Sequence, residues 1–131
     1  MTTFAMTKLV VADLDKAVAF YAATCGLKEA RRIKGGTGGR AMTEVIMAGQ
    51  GAAATLVLMT YTDGGPAPTP GECILVFETD DIEAFFARAV AAGASIAEPI
   101  TRLPDFGLSF GFLKDPEGHL VEGLQRHPPK G

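Results

Sequence analysis

The same pattern of apolar and polar residues occurs twice along the chain. In the first half, an apolar strand-like run at residues 7–11 precedes an apolar helical stretch that stops at Gly26. In the second half, the run at 74–77 precedes a similar stretch that stops at Gly93. Each glycine is followed by further strand-like runs. A repeat of strand, helix and strands predicts two similar modules within one small domain.

The two predicted helices begin in the same way. Asp13 and Asp81 stand directly before the apolar stretches, where an aspartate side chain accepts hydrogen bonds from the first free N–H groups of a helix. In the first helix, Leu14, Ala17 and Tyr21 recur at helical spacing and predict a buried stripe.

Alternation and turn residues predict the remaining elements. Residues 35–39 are read as a flexible glycine loop, 62–71 as a proline-rich linker and 115–118 as an Asp-Pro-x-Gly turn. The modules then span about 4–61 and 72–125 of a single domain, 1–131. The predicted strands are 4–11, 27–33, 40–48, 54–61, 72–78, 95–98, 108–114 and 119–125.

The predicted fold is α+β, with two βαβββ modules whose curled mixed sheet surrounds a cleft. Each module has one helix, so one sheet face is covered and the other is bare and available to line the cleft. Side chains alternate between faces along a strand. Leu9, Val11 and Val121 are assigned to the covered faces. The residues assigned to the cleft are Met6, Lys8, Val10, Leu120, Glu122 and Leu124.

Composition narrows the function classes. The chain has 131 residues, 47% of them hydrophobic, and a net charge of −3, which disfavours nucleic-acid binding because phosphate contacts need a basic surface. No apolar run approaches a membrane span and no secretory signal is visible, so we expect a cytoplasmic protein. Cys25 and Cys73 have neither disulfide nor zinc-motif spacing.

Two motifs carry a resemblance to a known family. The segment KLVVADLDKAVAFY at 8–21, followed by CGL at 25–27, and the segment FLKDPEGHLVE at 112–122 resemble the glyoxalase I, bleomycin-resistance and extradiol-dioxygenase superfamily. Its other name is the vicinal oxygen chelate fold. The resemblance covers nearly the whole chain and implies a homodimer that binds a small organic molecule in a cleft.

The resemblance also implies where a metal would bind. In metal-dependent members, four cleft strands supply His or Gln, Glu, His and Glu, and the corresponding residues here are Met6, Leu58, Ile74 and Glu122. Thioether and alkyl groups do not replace imidazole and carboxylate on a first-row divalent ion. A metal cofactor is therefore not favoured, and we expect none.

The chain also differs from glyoxalase-like members at a position that concerns glutathione binding. Glyoxalase-like members often carry an arginine where this chain has Val10. Lys8, Arg40 or Arg102 are alternative cations for an anionic ligand, although none of them matches the motif.

Glu122 is the only polar residue of the expected quartet, and in apolar surroundings it could act as a general acid or base. The equally weighted alternative is a partly exposed remnant without a role. Residues expected to bind ligand are Met6, Lys8, Arg40, Leu58, Tyr61, Ile74 and Phe110. Three functions stay open: a metal-free lyase or isomerase, a non-catalytic drug-sequestering protein, and a metal-dependent lactoylglutathione lyase.

Overall fold

The computed structural model describes residues 1, 4–49 and 55–128. The chain divides into two compact units, Met1–Thr69 and Pro70–Gly131, here called unit 1 and unit 2. The boundary falls inside the predicted linker.

Unit 1 is a four-stranded mixed sheet with one helix. Its elements are β1 (Met6–Val10), α1 (Leu14–Cys25), β2 (Lys28–Thr37), β3 (Arg40–Ala48) and β4 (Thr55–Tyr61). The strand order is β1-β4-β3-β2, with β1 parallel to β4 and the other neighbours antiparallel.

Unit 2 repeats this topology. Its elements are β5 (Ile74–Glu78), α2 (Ile82–Ala91), β6 (Ser95–Leu103), β7 (Leu108–Lys114) and β8 (Leu120–Arg126), with a short 3-10 turn at Pro104–Phe106. The order is β5-β8-β7-β6, and β5 runs parallel to β8. The predicted α+β class and the two βαβββ modules are confirmed, and neither sheet closes on itself.

Both helices begin where the capping residues predict. The Asp13 carboxylate accepts a hydrogen bond from the Lys16 N–H at 3.1 Å, and the Asp81 carboxylate accepts one from the Ala84 N–H at 3.0 Å. Gly26 ends α1 in the left-handed conformation, with φ of 68°, which costs glycine little because it lacks a Cβ.

The predicted ends of two strands are wrong. Strand β2 continues through Gly35 and Gly36 to Thr37, so the glycine segment is mostly strand, and only Gly38 and Gly39 form the hairpin turn. Their φ values of 55° and 80° suit a tight connection between right-twisted strands. Strand β6 is also longer than predicted and bends at two register shifts. The connection between the predicted strands 40–48 and 54–61 lies mostly outside the described residues.

The Asp-Pro-x-Gly turn between β7 and β8 forms as predicted. Gly118 has a φ of 95° and donates its N–H to the Asp115 carbonyl at 2.9 Å. The buried Asp115 carboxylate accepts the backbone N–H groups of Glu117 and His119, each at 2.9 Å. Neither α-helix of the described chain has the length and hydropathy that a membrane span requires.

Candidate functional site

Each sheet has one face packed under its helix and one face that the helix leaves bare, here called the open face. In β1, Leu9 is buried on the helix side, while Met6 and Lys8 are exposed on the opposite side. The register pairs Lys8 with Val57 and Met6 with Thr55, so these residues share the open face of unit 1. The predicted alternation of β1 is confirmed.

The predicted orientation of Leu58 is wrong. Leu58 pairs with Leu9 in β1 and with Val45 in β3, and all three are buried on the side that faces α1. Its neighbour Val57 lies on the open face instead. Leu58 is therefore a core residue of unit 1, and the structural counterpart of Glu122 in this unit is Val57.

A charged pair that the sequence did not single out lies on the same open face. The Lys8 Nζ atom is 2.9 Å from Glu44 Oε2, with side-chain exposures of 44% for Lys8 and 11% for Glu44. Glu44 lies on β3, two strands away from Lys8. The signal for this residue was the alternation in β3, where Met42, Glu44 and Ile46 share one face.

Arg40 and Tyr61, both predicted as ligand-binding residues, are brought together in unit 1. The Arg40 guanidinium carbon lies 3.6 Å from the centre of the Tyr61 ring. Arg40 also donates Nε to Asp63 Oδ2 at 2.6 Å and Nη2 to Asp63 Oδ1 at 2.9 Å. Both Nη atoms reach the Pro66 carbonyl oxygen at 3.3 Å.

This network holds residues 63–66 against the end of β4. The Arg40 guanidinium, with help from the Gly65 N–H, holds the pKa of Asp63 well below its usual range. Asp63 in turn raises the pKa of Arg40. The Arg40 charge is therefore already paired, and its first role is to fix the chain that leaves unit 1.

The open face of unit 2 is mainly apolar. Ile74 and Val76 on β5 are 50% and 54% exposed, and the register places Val76 beside Glu122. The buried Val121 lies on the opposite side, under α2. The predicted alternation of β8 is confirmed.

Glu122 lies between apolar strands. Its cross-strand neighbours are Val76 in β5 and Phe112 in β7, and its side chain is half-buried. Over the ranges that the structure describes, Glu122 forms no ion pair with a cationic side chain. Phe110 and Phe112 are half-buried on the same face, with ring centres 6.0 Å apart in an edge-to-face arrangement.

Both histidines are engaged away from the open faces. His119 Nδ1 lies 3.0 Å from Asp115 Oδ2 in a buried pair within the turn. His127 packs against unit 2 through its side chain. Its Nε2 atom is 2.8 Å from Ser109 Oγ and 3.3 Å from Arg102 Nη1. Neither imidazole is available beside Glu122.

The donor set does not fit the metal that the resemblance implies. Corrected for register, the expected ligand positions are Met6 and Val57 in unit 1 and Ile74 and Glu122 in unit 2. One carboxylate accompanied by thioether and alkyl groups is a poor site for zinc, nickel or iron. Within the described residues, no group of three or more His, Cys, Asp or Glu side chains has metal-binding proximity.

Comparison with known proteins places the chain in a family. Residues 3–122 match the model of the Glyoxalase/Bleomycin resistance protein/Dioxygenase superfamily. No curated protein matches the chain.

Solved structures share the fold. A glyoxalase family protein from Bacillus cereus superposes with a TM-score of 0.85 at 16% identity, covering 98% of this chain and 96% of the other. A glyoxalase/bleomycin resistance protein from Albidiferax ferrireducens T118 gives 0.69 at 26% identity, with coverage of 94% and 98%. TnmS3, an antibiotic binding protein from Streptomyces sp. CB03234, gives 0.71 at 26% identity, with coverage of 96% and 97%.

Proposed function

We propose that this chain, which belongs to the Glyoxalase/Bleomycin resistance protein/Dioxygenase superfamily, binds a small organic molecule on the open face of unit 2 without a metal. The ligand has a flat apolar part and a cationic or hydrogen-bond-donating group. The observation that carries the proposal is Glu122, a half-buried carboxylate between Val76 and Phe112 with no ion pair among the described residues.

The apolar part of the ligand gains most from β5 and β7. Ile74 and Val76 leave about half of their surface in water, and covering that surface is favourable at roughly 25 cal/mol per Å². The perpendicular rings of Phe110 and Phe112 offer edges and faces to a planar group. These contacts favour an aromatic or alicyclic ligand over a sugar or a phosphate ester.

The polar part of the ligand is selected by Glu122. A carboxylate flanked by apolar side chains is poorly solvated, so a cationic or N–H group that covers it gains a strong, charge-assisted hydrogen bond. An anionic group in the same place would meet like charge. Unit 2 therefore prefers cationic or neutral donors, in agreement with its acidic sequence.

A sequestering role draws support from similarity. TnmS3 is named as an antibiotic binding protein and is 26% identical to this chain over 96% of its length. Binding alone needs only complementary contacts, which the open face of unit 2 offers. We also expect the homodimer that the resemblance implies, which sedimentation equilibrium checks.

The second candidate is a metal-free lyase or isomerase. A half-buried carboxylate without a fixed cation is suited to accept a proton from a bound substrate and return it to another atom. The metal-dependent lactoylglutathione lyase reaction is less well supported. Its ligand positions hold Met6, Val57 and Ile74, and Val10 replaces the expected arginine.

A pair of matched probes tests the proposal. Because the chain contains no tryptophan, naphthalene fluorescence reports binding of 2-naphthylmethylammonium and of its neutral analogue 2-naphthylmethanol. We expect the ammonium probe to bind at least about tenfold more tightly. Glu122→Gln removes this preference while retaining binding of the alcohol.

The control is Glu83→Gln, which removes an exposed carboxylate from the first turn of α2. A preference for the ammonium probe that survives Glu122→Gln would contradict the proposal. Loss of turnover of a substrate by Glu122→Gln, with its affinity unchanged, would favour the lyase or isomerase over the sequestering role.

A further inference from the structure

Glu44 is a buried carboxylate on the open face of unit 1. The residue is 9% exposed, and its cross-strand neighbours are Ile33 in β2 and Met59 in β4. Met42, two residues away on β3, lies on the same face and is also buried. A carboxylate in apolar surroundings requires a positive partner, because the lost hydration costs several kcal/mol.

Lys8 supplies that partner from a distance. Lys8 is on β1 and Glu44 on β3, with β4 between them, so the lysine side chain crosses a full strand near Val57 and Met59 to bring Nζ within 2.9 Å of Oε2. Oε2 accepts no hydrogen bond from the described residues. The lysine is 44% exposed. Its ammonium is held by charge and stays close to solvent.

We propose that the Glu44 carboxylate is a binding site for the ammonium group of an aliphatic amine, and that Lys8 occupies this site when no amine is bound. A ligand amine reproduces both parts of the lysine side chain. Its head group neutralises Glu44, and its alkyl tail takes the place of the lysine side chain beside Val57. Lys8 then moves into water, where a lysine is well solvated.

The negative charge of Glu44 favours an amine as the ligand over an anion. Exchange of one ammonium for another leaves Glu44 neutralised throughout. An anion bound to Lys8 would instead lie beside the negative Glu44 or draw Lys8 away and leave that carboxylate buried without its cation. This site is in unit 1, and it does not depend on the function proposed for Glu122.

The experiment compares three probes that share one alkyl chain: hexylammonium, hexanol and hexanoate. Methyl-labelled methionine NMR locates binding, because Met42 and Met59 flank Glu44 on the open face whereas Met47 lies on the helix side. We expect hexylammonium to shift the Met42 and Met59 signals and to leave Met47 unchanged. Hexanol binds at least about tenfold more weakly, and hexanoate does not bind.

Two variants are expected to change the affinity for hexylammonium in opposite directions. Glu44→Gln weakens hexylammonium binding at least about tenfold, because it keeps the shape and removes the charge. Lys8→Met strengthens the same binding severalfold, because the competing internal ammonium is gone. If Glu44→Gln fails to fold, as its thermal unfolding curve would reveal, Lys8→Met still decides.

Hexanoate binding that Lys8→Met abolishes would overturn the proposal, since Lys8 would then be an anion site held by Glu44. Hexylammonium shifts that are unchanged in Glu44→Gln would overturn it as well. The variant Glu122→Gln is expected to keep the Met42 and Met59 shifts. Failure in unit 1 is thereby distinguished from failure of the function proposed for unit 2.

Discussion

The two units share one topology, but at two sheet positions under the helix they distribute side-chain volume in opposite ways between sheet and helix. At equivalent register positions under the helix, unit 1 pairs Val45 with Leu58, whereas unit 2 pairs Gly111 with Gly123. At these two positions the larger side chains of unit 1 are therefore in the sheet. In unit 2 the glycines at the same two positions leave space for side chains of the helix.

The helices complement this difference. The fourth residue after the capping aspartate is Ala17 in α1 and Phe85 in α2, and both are buried. A Cβ placed on Gly123 would lie 3.1 Å from the Phe85 ring, and one placed on Gly111 would lie 2.5 Å from the Phe86 ring. One backbone plan thus accepts two different packings, provided that total volume is conserved.

The open faces differ in charge and in exposure, since Val57 and Met59 are buried in unit 1 whereas Ile74 and Val76 are about half exposed in unit 2. Unit 1 places its carboxylate on β3, as Glu44, where Lys8 pairs with it. Unit 2 places its carboxylate on β8, as Glu122, and the counterpart of Lys8 is Val76, which brings no charge. The lysine is the reason that Glu44 is paired within its own sheet, whereas Glu122 has no ion pair among the described residues.

The largest expected effect comes from replacing Gly123 of unit 2 by leucine, the residue that unit 1 has at the equivalent position, Leu58. Gly123→Leu forces a side chain against the rings of Phe85 and Phe86, because even a Cβ there stands at 3.1 to 3.2 Å from them. We expect a loss of more than about 5 kcal/mol in the free energy of unfolding, since overpacking of this size exceeds the usual cost of one extra methylene. Urea denaturation followed by circular dichroism measures it.

A double-mutant cycle tests the cause of this loss. Phe85→Ala alone leaves a cavity and costs about 3 to 5 kcal/mol. Combined with Gly123→Leu, it recreates the small helix residue and large sheet residue of unit 1, so we expect a favourable coupling of at least about 1 kcal/mol. Additive losses would show that the two positions do not exchange volume.

The second prediction concerns Leu58. Leu58→Ala removes a fully buried side chain beneath α1 and is expected to lower the free energy of unfolding by about 2 to 5 kcal/mol. Affinity for the naphthyl probes is expected to stay unchanged at a temperature where the variant is folded. A loss of affinity without a loss of stability would show that Leu58 is a ligand-binding residue.

Much of the fold was readable from local signals. Asp13 and Asp81 cap their helices, Gly26 closes the first, and the Asp-Pro-x-Gly turn forms at 115–118. Each of these depends on a few neighbouring residues whose chemistry has one main structural outcome. The orientation of Glu122 also followed from alternation, because Val121 and Gly123 are its uncharged neighbours.

The remainder depends on contacts that pattern alone does not reveal. Residues 56–59 are apolar without alternation, so nothing in the run says whether Val57 or Leu58 faces the helix; only the register with β1 decides. The pairing of Lys8 with Glu44 and of Arg40 with Asp63 requires strands that meet in space. The sequence therefore predicts Arg40 as a ligand-binding cation, whereas in the structure its charge is paired within unit 1.

The smallest expected effect concerns the ion pair between Arg40 and Asp63, whose contribution to stability depends on pH. Arg40 lowers the pKa of Asp63 in the folded state, so the carboxylate contributes stability above its unfolded pKa of about 3.9 and loses that contribution as the pH falls toward the folded value. Asp63→Asn is expected to lower the free energy of unfolding slightly at pH 7. The difference from the natural chain shrinks below about pH 4.

Asp105→Asn is the matched control, because Asp105 is exposed and forms no ion pair within the described residues. Urea denaturation at several pH values compares the two variants. Added salt weakens an exposed ion pair by screening, so high ionic strength is expected to narrow the Asp63→Asn difference at pH 7. A difference that persists unchanged at pH 3 would mean that Asp63→Asn changes stability through chain geometry at residues 63–66 and not through loss of the carboxylate charge.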